Sequence, residues 1–127
     1  MSILTLNDEE GLGQVVDHHE TVVIALWAPW CAPCKGVLPI LEKASETHAD
    51  IVFCRVNTED HRELAQAFDV KSIPTLVVIR DRVMVASQSG MLPEDVLEDL
   101  LGKVKDLDMD EVRREMADSE EEKGDGS

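Results

Sequence analysis

The stretch WCAPCK, residues 30–35, places two cysteines three positions apart where a strand is followed by a helix. The strand is predicted from an apolar run at residues 21–27, and the helix from the pattern of residues 33–44. We therefore expect Cys31 at the exposed entrance of the helix and Cys34 one turn inside it. This placement indicates thiol chemistry.

The helix entrance gives the two cysteines different predicted roles. A thiolate there faces backbone N–H groups without partners and the positive end of the helix dipole, which lower the pKa of the thiol. Cys31 is therefore the predicted nucleophile. Cys34 follows on the same helical face, so it can attack a mixed disulfide on Cys31 and close the pair. The motif thus predicts a pair that alternates between dithiol and disulfide.

The composition limits the classes of protein to consider. With 127 residues, of which 43% are hydrophobic, the chain has room for one domain with a single core. Its formal net charge of -15 repels nucleic-acid backbones and anionic membrane surfaces, so neither is expected as a main partner. Proteins and small molecules remain as partners, and we expect a monomer.

The N-terminal residues and the cysteine count indicate the compartment. Residues 1–10 lack the basic start and long apolar run of a secretory signal, and no apolar stretch approaches the length of a membrane span. Three cysteines, one close pair and one spare, suit a reducing compartment better than an exported scaffold held by disulfides. We therefore expect a cytoplasmic protein.

Predicted strands and helices alternate on both sides of the motif. A short strand at residues 3–6 precedes a helix that Asn7 and Glu10 cap as a pair and that runs to about residue 17. The motif helix continues to about residue 47, and Pro39 inside it is expected to kink its axis. After it we expect a strand at 51–56, a helix at 60–68, a hairpin of strands 75–79 and 83–86 around the polar turn 80–82, and a helix at 93–101. This order predicts an α/β fold, with a mixed central sheet covered by helices on both faces.

The composition changes near Lys105, which is the predicted boundary between a domain at residues 1–105 and a C-terminal segment at residues 106–127. Asp108 and Glu111 form a second capping pair, which starts an amphipathic helix with Met109, Val112 and Met116 on one side. This helix either packs on its own domain or contacts a partner. The acidic run from residue 119 is too polar to pack and is expected to be a disordered, solubilising tail.

Over about residues 1–105 the chain resembles the thioredoxin family. The resemblance is carried by WAPWCAPCK at residues 27–35, then Pro39, the segment IPT at residues 73–75, and Gly90, in the order and spacing of the family. In that family the proline of the IPT segment forms a cis peptide bond beside the cysteine pair, so the bond before Pro74 is expected to be cis. The family uses the backbone of the preceding residue, here Ile73, to hold an extended substrate strand.

The resemblance implies a site and its partners. Cys31 and Cys34 are the expected catalytic residues, and their redox-active disulfide is the only expected cofactor. The expected partners are proteins that contain disulfides and a disulfide reductase that supplies electrons. The expected substrate-docking surface consists of Trp30, Ile73, Pro74, Gly90 and Met91. The residues expected to support the cysteine motif structurally are Trp27, Ala32, Pro33 and Lys35. Trp27 is expected in the core beneath the site, and Trp30 on the surface.

One departure from the family pattern bears on mechanism. Many thioredoxins carry a buried aspartate two residues before the first tryptophan, where this chain has Ala25. The family uses that carboxylate as a general base for the resolving cysteine, so proton removal from Cys34 requires water or another group here. Arg55 replaces the usual accompanying lysine, and it stabilises a Cys34 thiolate if its side chain points inward.

Other residue types were weighed as sites. Zinc needs four ligands, and the remaining cysteine and the four histidines offer no second pair at ligand spacing. Cys54 lies in an apolar strand and is expected to be an inert core residue. The histidines lie in polar or helix-end positions, where solvation is expected, and no role is assigned to them.

The sequence therefore predicts a thiol-disulfide oxidoreductase that reduces protein disulfides. The alternative from another class is a binding module, an adaptor or co-chaperone whose cysteines cycle slowly or not at all. Electron flow in the opposite direction, in an oxidase or isomerase, requires a destabilised disulfide and usually an oxidising compartment. The reduction potential of the pair distinguishes these directions.

Overall fold

In the part of the chain that the structure describes, five strands form one mixed sheet in the order β1-β3-β2-β4-β5. We obtained a computed structural model, which describes residues 3–6, 8–68, 72–90, 92–115 and 117. Strands β1, β3 and β2 are parallel, whereas β4 runs antiparallel to β2 and β5 antiparallel to β4. The strand bounds are β1 (Leu4–Thr5), β2 (Thr21–Trp27), β3 (Val52–Asn57), β4 (Thr75–Arg80) and β5 (Val83–Ser89).

Helices cover both faces of the sheet, as predicted. They are α1 (Glu9–His18), α2 (Ala32–Thr47), α3 (Arg62–Ala67) and α4 (Glu94–Lys105). Apolar side chains of α2 and α4 share a core cluster with Val23 and Phe53, whereas those of α1 and α3 share a second cluster with Ile24 and Val56. Successive residues of the central strand β2 thus enter opposite layers. Because β2 is buried on both faces, its sequence is a continuous apolar run.

Helix α1 begins differently from the prediction. Its N-cap is Asp8, whose extended backbone lets Oδ1 accept the N–H of Gly11 at 2.7 Å. The predicted capping pair of Asn7 and Glu10 is wrong, because the carboxylate of Asp8 already occupies the N-cap and Glu10 lies in the first turn. Asn7 itself lies outside the described residues.

The hairpin is longer than predicted and its turn is shorter. Strand β5 extends to Ser89, which pairs with Thr75, and Arg80 belongs to β4 rather than to the turn. Asp81 and Arg82 alone form the turn, with φ angles of 52° and 68°. Positive φ at both positions suits a two-residue turn between twisted antiparallel strands. The sequence Asp-Arg contains no glycine, so it does not indicate such a turn.

The segment after α4 lies against its own domain. Asp108 Oδ1 accepts the N–H groups of Asp110 and Glu111, which is the Asp108 half of the predicted capping pair, and residues 109–115 are helical. Met109 is buried, and Arg113 lies 3.4 Å from Asp81 of the hairpin turn. Met116 and residues 118–127 lie outside the described residues, so the domain boundary near Lys105 and the acidic tail stay predictions. Within the described ranges, no helix is long and apolar enough to cross a membrane.

Candidate active site

The cysteine pair lies at the start of α2. Cys31 is the N-cap residue and Cys34 lies in the first turn; the two are joined by a disulfide, with their Cα atoms 5.3 Å apart. The backbone N–H of Cys34 donates to Cys31 Sγ at 3.3 Å. Negative charge on Cys31 Sγ would therefore face an N–H donor and the positive end of the helix dipole, which is the arrangement that lowers a thiol pKa.

The exposure of Cys31 differs from the prediction. Cys31 is only 5% exposed and Cys34 is 1% exposed, so the helix entrance is covered rather than open. The cover consists of Trp27, Ala28 and Ile73, which pack with the two cysteines in one small cluster. The Cys31 N–H donates to the Ala28 carbonyl at 3.1 Å, and this tight turn places the first sulfur against the cluster.

The segment before β4 lies beside the pair. The peptide bond between Ile73 and Pro74 is cis, as expected, and Ile73 packs against the cysteine cluster. The Pro74 carbonyl accepts the N–H of Gly90 at 2.8 Å. Gly90 has a φ of 90°, a conformation that favours glycine. The structure therefore brings Ile73, Pro74 and Gly90 together at the pair, while Met91 lies outside the described residues.

The two tryptophans differ in exposure, as predicted. Trp30 is 67% exposed, whereas Trp27 is partly buried against the cysteine cluster. Trp27 Nε1 is buried and has no hydrogen-bond partner within the described part of the chain. Ala32, Pro33 and Lys35 are exposed in the first turn of α2, with Pro33 where a helix tolerates a missing N–H.

Glu59 is a residue of this surface that the sequence analysis missed. Its Oε1 accepts the Nε1–H of Trp30 at 2.5 Å. The only available signal was topological: β2 and β3 are parallel with Trp27 opposite Asn57, so the residues that follow both strands meet at one edge of the sheet. The pairing of a particular side chain across that edge requires the folded coordinates.

A small cavity lies beneath Cys34. Its lining is mostly apolar, and about 10 Å³ of it is open to the centre of a water molecule, which is close to the minimum for one water. Among the described lining residues Thr75 contributes the hydroxyl, which donates to the carbonyl of Ser72 at 2.6 Å. The other lining residues are Ala25, Leu26, Trp27, Val37, Leu38, Pro74, Leu76, Gly90 and Leu92. An apolar wall disfavours a Cys34 thiolate.

Arg55 does not line this cavity. It lies opposite Ala25 in the parallel pairing of β2 and β3. Its Nε donates to Thr5 Oγ1 at 2.9 Å, and its guanidinium carbon lies 5.9 Å from the centre of the Trp27 ring. The inward orientation that would let Arg55 stabilise a Cys34 thiolate is therefore not observed, because Thr5 and Trp27 hold the guanidinium.

The third cysteine and the histidines lie outside the site. Cys54 is 1% exposed, and its burial raises the pKa of the thiol to about 12, as expected for an inert core residue. His48 differs from its expected solvated state: Nε2 lies 2.9 Å from Glu98 Oε2, and Nδ1 lies 2.9 Å from Lys105 Nζ. It thus joins the end of α2 to α4. In the ranges described above, no group of three or more histidine, cysteine or acidic side chains is arranged to hold a metal ion.

Comparison with known proteins identifies the family. A sequence profile of thioredoxin matches residues 2–103. A putative thioredoxin 2 from Streptomyces coelicolor is 47% identical over 116 residues, which cover 91% of this chain and 87% of that protein. Thioredoxin from Haemophilus influenzae is 33% identical over 102 residues, covering 80% of this chain and 95% of that protein.

A solved structure agrees with these sequence matches. A mutant thioredoxin from Halobacterium salinarum superposes with a TM-score of 0.80 at 28% identity, covering 84% of this chain and 94% of that one. The matched region contains the cysteine pair at the start of α2 and the strand order described above. The chain therefore belongs to the thioredoxin family, and its Cys31–Cys34 pair makes it a thiol-disulfide oxidoreductase.

Proposed function

We propose that this protein reduces disulfides in other proteins, with Cys31 as the nucleophile and Cys34 as the resolving residue. The observation that supports these roles is the asymmetry of the pair. Cys31 Sγ accepts an N–H at the positive end of α2, whereas Cys34 lies one turn deeper above an apolar cavity. The first environment favours a thiolate and the second disfavours one.

The proposed reaction has two exchange steps. The Cys31 thiolate attacks one sulfur of the substrate disulfide, forms a mixed disulfide and releases the first substrate thiolate, which takes up a proton. Cys34 then loses its proton and attacks Cys31 Sγ, which releases the second substrate thiolate and leaves the Cys31–Cys34 disulfide. The second substrate thiolate is then protonated as well, so two electrons pass from the pair to the substrate, with one proton derived from Cys34 and one from solvent. A disulfide reductase acting as electron donor returns the pair to the dithiol.

The substrate segment is proposed to dock around the pair. Trp30 offers an exposed ring, and the half-buried Ile73 and the exposed Gly90 lie beside the pair. Pro74 is buried, and its carbonyl holds Gly90 in place beneath this proposed surface. Met91 belongs to the same proposed surface by its position next to Gly90. We further propose that the protein works as a monomer in the cytoplasm, takes part in electron transport there and needs no cofactor beyond its redox-active disulfide.

The alternative function, an adaptor or co-chaperone with slow redox turnover, has one supporting observation. None of the described residues that line the cavity beneath Cys34 is a carboxylate, so among them the resolving step lacks the general base that the family uses. The covered but intact cysteine pair favours the reductase.

Single-cysteine variants test the proposal. With dithiothreitol as electron donor and a small disulfide-containing protein as substrate, we expect Cys31→Ser to abolish turnover, because it removes the attacking thiolate. Cys34→Ser should instead accumulate mixed disulfides, which nonreducing electrophoresis and mass spectrometry detect. Cys54→Ala is the matched control, since that thiol is buried away from the site and should leave turnover unchanged.

Two results would contradict the proposal. Turnover retained by Cys31→Ser would show that Cys31 is not the nucleophile. A reduction potential of the pair far above the cytosolic poise of about -220 to -320 mV would point to an oxidase or isomerase instead.

A further inference from the structure

We propose that Glu59 is a positioning residue of the substrate-docking surface, which holds the indole of Trp30 in place for the incoming protein. This inference rests on the proposed function, because it concerns how a protein substrate meets the Cys31–Cys34 pair.

The indole of Trp30 needs an anchor. The side chain is 67% exposed, so packing alone restrains it weakly. Its Nε1–H donates to Glu59 Oε1 at 2.5 Å, a short bond to a charged acceptor. Hydrogen bonds to ionised acceptors are stronger and more directional than neutral ones. The carboxylate therefore selects one orientation of a ring that would otherwise sample several.

Glu59 is itself held on both sides. Its backbone N–H donates to Asn57 Oδ1 at 2.9 Å. The preceding residue, Thr58, donates its N–H to the Trp27 carbonyl at 2.9 Å, which joins the segment after β3 to the end of β2. The second carboxylate oxygen of Glu59, Oε2, lies 4.0 Å from Arg62 Nη2. The backbone that carries the anchor of Trp30 is thus a fixed part of the sheet edge, and the exposed Glu59 side chain reaches the indole from it.

A restrained ring changes substrate binding more than chemistry. Trp30 is adjacent to Cys31 in sequence but contributes no atom to the exchange steps. When the indole is already oriented, a docking protein pays less conformational entropy to order it. Loss of the Glu59 bond should therefore raise KM for a protein disulfide while kcat and the reduction potential stay the same.

Three variants separate positioning from charge. Glu59→Ala removes both the acceptor and the charge, whereas Glu59→Gln keeps an acceptor oxygen for the indole and loses the charge. Asp60→Ala removes the neighbouring exposed charge and leaves Glu59 intact. Each variant is assayed with a small disulfide-containing protein and with hydroxyethyl disulfide, which has no polypeptide to dock.

We expect Glu59→Ala to raise KM for the protein substrate about 3- to 10-fold, with kcat unchanged. Glu59→Gln keeps an acceptor whose neutral hydrogen bond is weaker, so its KM should lie between those of the wild type and Glu59→Ala. Asp60→Ala should stay within about twofold of the wild type. Hydroxyethyl disulfide should be reduced equally by all four proteins. An unchanged KM in Glu59→Ala, or equal defects in Glu59→Gln and Glu59→Ala, would overturn the positioning role. Absence of turnover with either substrate in the wild type would overturn the proposed function instead.

Fluorescence gives a second readout that reports the ring directly. The chain contains two tryptophans and no tyrosine, so Trp27→Phe leaves Trp30 as the sole indole emitter. In that background, Glu59→Ala should lower the anisotropy of Trp30 and Glu59→Gln should preserve most of it. Equal anisotropy in all three proteins would show that Glu59 does not restrain the ring.

Discussion

At the scale of single residues, Ala25 and Cys34 line one small cavity, and none of the described residues in its lining is a carboxylate. A carboxylate at position 25 would lie at the wall of that cavity and opposite Arg55 of the neighbouring strand. Arg55 currently donates to Thr5 and lies over the Trp27 ring. Arg55 therefore places a cation next to this position, while the described lining of the cavity holds no carboxylate that would accept the proton of Cys34.

We expect Ala25→Asp to accelerate the resolving step near neutral pH, because a buried carboxylate can take the Cys34 proton. The same change should lower the free energy of unfolding by about 1–3 kcal/mol, because it buries a negative charge. Arg55 can pair with that charge only by leaving Thr5 and Trp27. Rapid quench of the mixed disulfide measures the rate, and denaturant titration measures the stability.

Ala25→Asn is the matched control, because it has nearly the same shape and does not act as a base. It should lower stability without accelerating resolution. If Ala25→Asp leaves the rate unchanged while lowering stability, proton removal does not limit this enzyme and Ala25 is only a packing choice.

Residue-scale features were predictable where the signal is local. Cys31, Cys34 and the cis bond before Pro74 follow from short motifs in the sequence. The Trp30–Glu59 bond joins residues 29 positions apart, and neither neighbourhood indicates the other. The low exposure of Cys31 likewise depends on Ile73, which tertiary structure brings to the pair.

At the scale of elements, Arg80 caps the C-terminal end of α4. Arg80 Nη1 donates to the carbonyls of Val104 at 2.6 Å, Lys105 at 3.1 Å and Leu107 at 2.9 Å. These include carbonyls of the last helical turn, which lack partners within the helix. A cation at a helix C-terminus also interacts favourably with the dipole. The side chain, only 16% exposed, thus ties the end of β4 to the end of α4.

We expect Arg80→Met to lower the free energy of unfolding by about 2 kcal/mol, because it leaves partly buried carbonyls without a charged donor. Denaturant titration gives the value, and hydrogen exchange should show the loss at the last turn of α4. Arg82→Met is the control: that arginine is 69% exposed and makes one ion pair with Asp17, so its loss should cost about 0.5 kcal/mol or less. Equal effects of the two substitutions would mean that the carbonyl contacts do not stabilise α4.

Helix α4 was predicted too short, although Leu97, Leu101 and Val104 recur at helical spacing. The apolar pattern indicated a helix to residue 101, whereas the helix continues to Lys105 with Val104 buried. Strand and helix types were predictable from periodicity and from proline and acidic residues at helix starts. The bounds depended on tertiary hydrogen bonds such as those of Arg80, and on the Asp81–Arg82 turn, whose residues carry no glycine signal.

At the scale of the whole molecule, the type of sheet was predictable from the sequence, but the strand order and register were not. Alternating strands and helices followed by a hairpin indicated a mixed sheet with helices on both faces, and the structure has that arrangement. The strand order and the position of Ala25 opposite Arg55 required the folded chain. The overall charge, in contrast, is a property of composition alone: 27 acidic and 12 basic side chains leave a formal net charge of -15.

This charge predicts a salt dependence that differs between substrates. A strongly acidic protein attracts cationic partners and repels anionic ones, and salt screens both effects as the Debye length falls from about 30 Å at 0.01 M to about 8 Å at 0.15 M. We expect kcat/KM for a basic disulfide-containing protein to fall by up to about 10-fold over that range, and the value for an acidic one to rise. Steady-state assays at several salt concentrations measure both.

Two controls separate long-range charge from the local site. Hydroxyethyl disulfide is uncharged, so its reduction should be almost independent of salt, which excludes an effect of salt on the cysteine pair itself. Asp60→Ala removes one exposed charge near Trp30 and should reduce the salt response of the basic substrate only slightly, because many acidic side chains contribute to the field. If basic and acidic substrates respond to salt in the same direction, net charge does not guide this protein to its substrates, and short-range contacts at the docking surface around Trp30 govern the encounter.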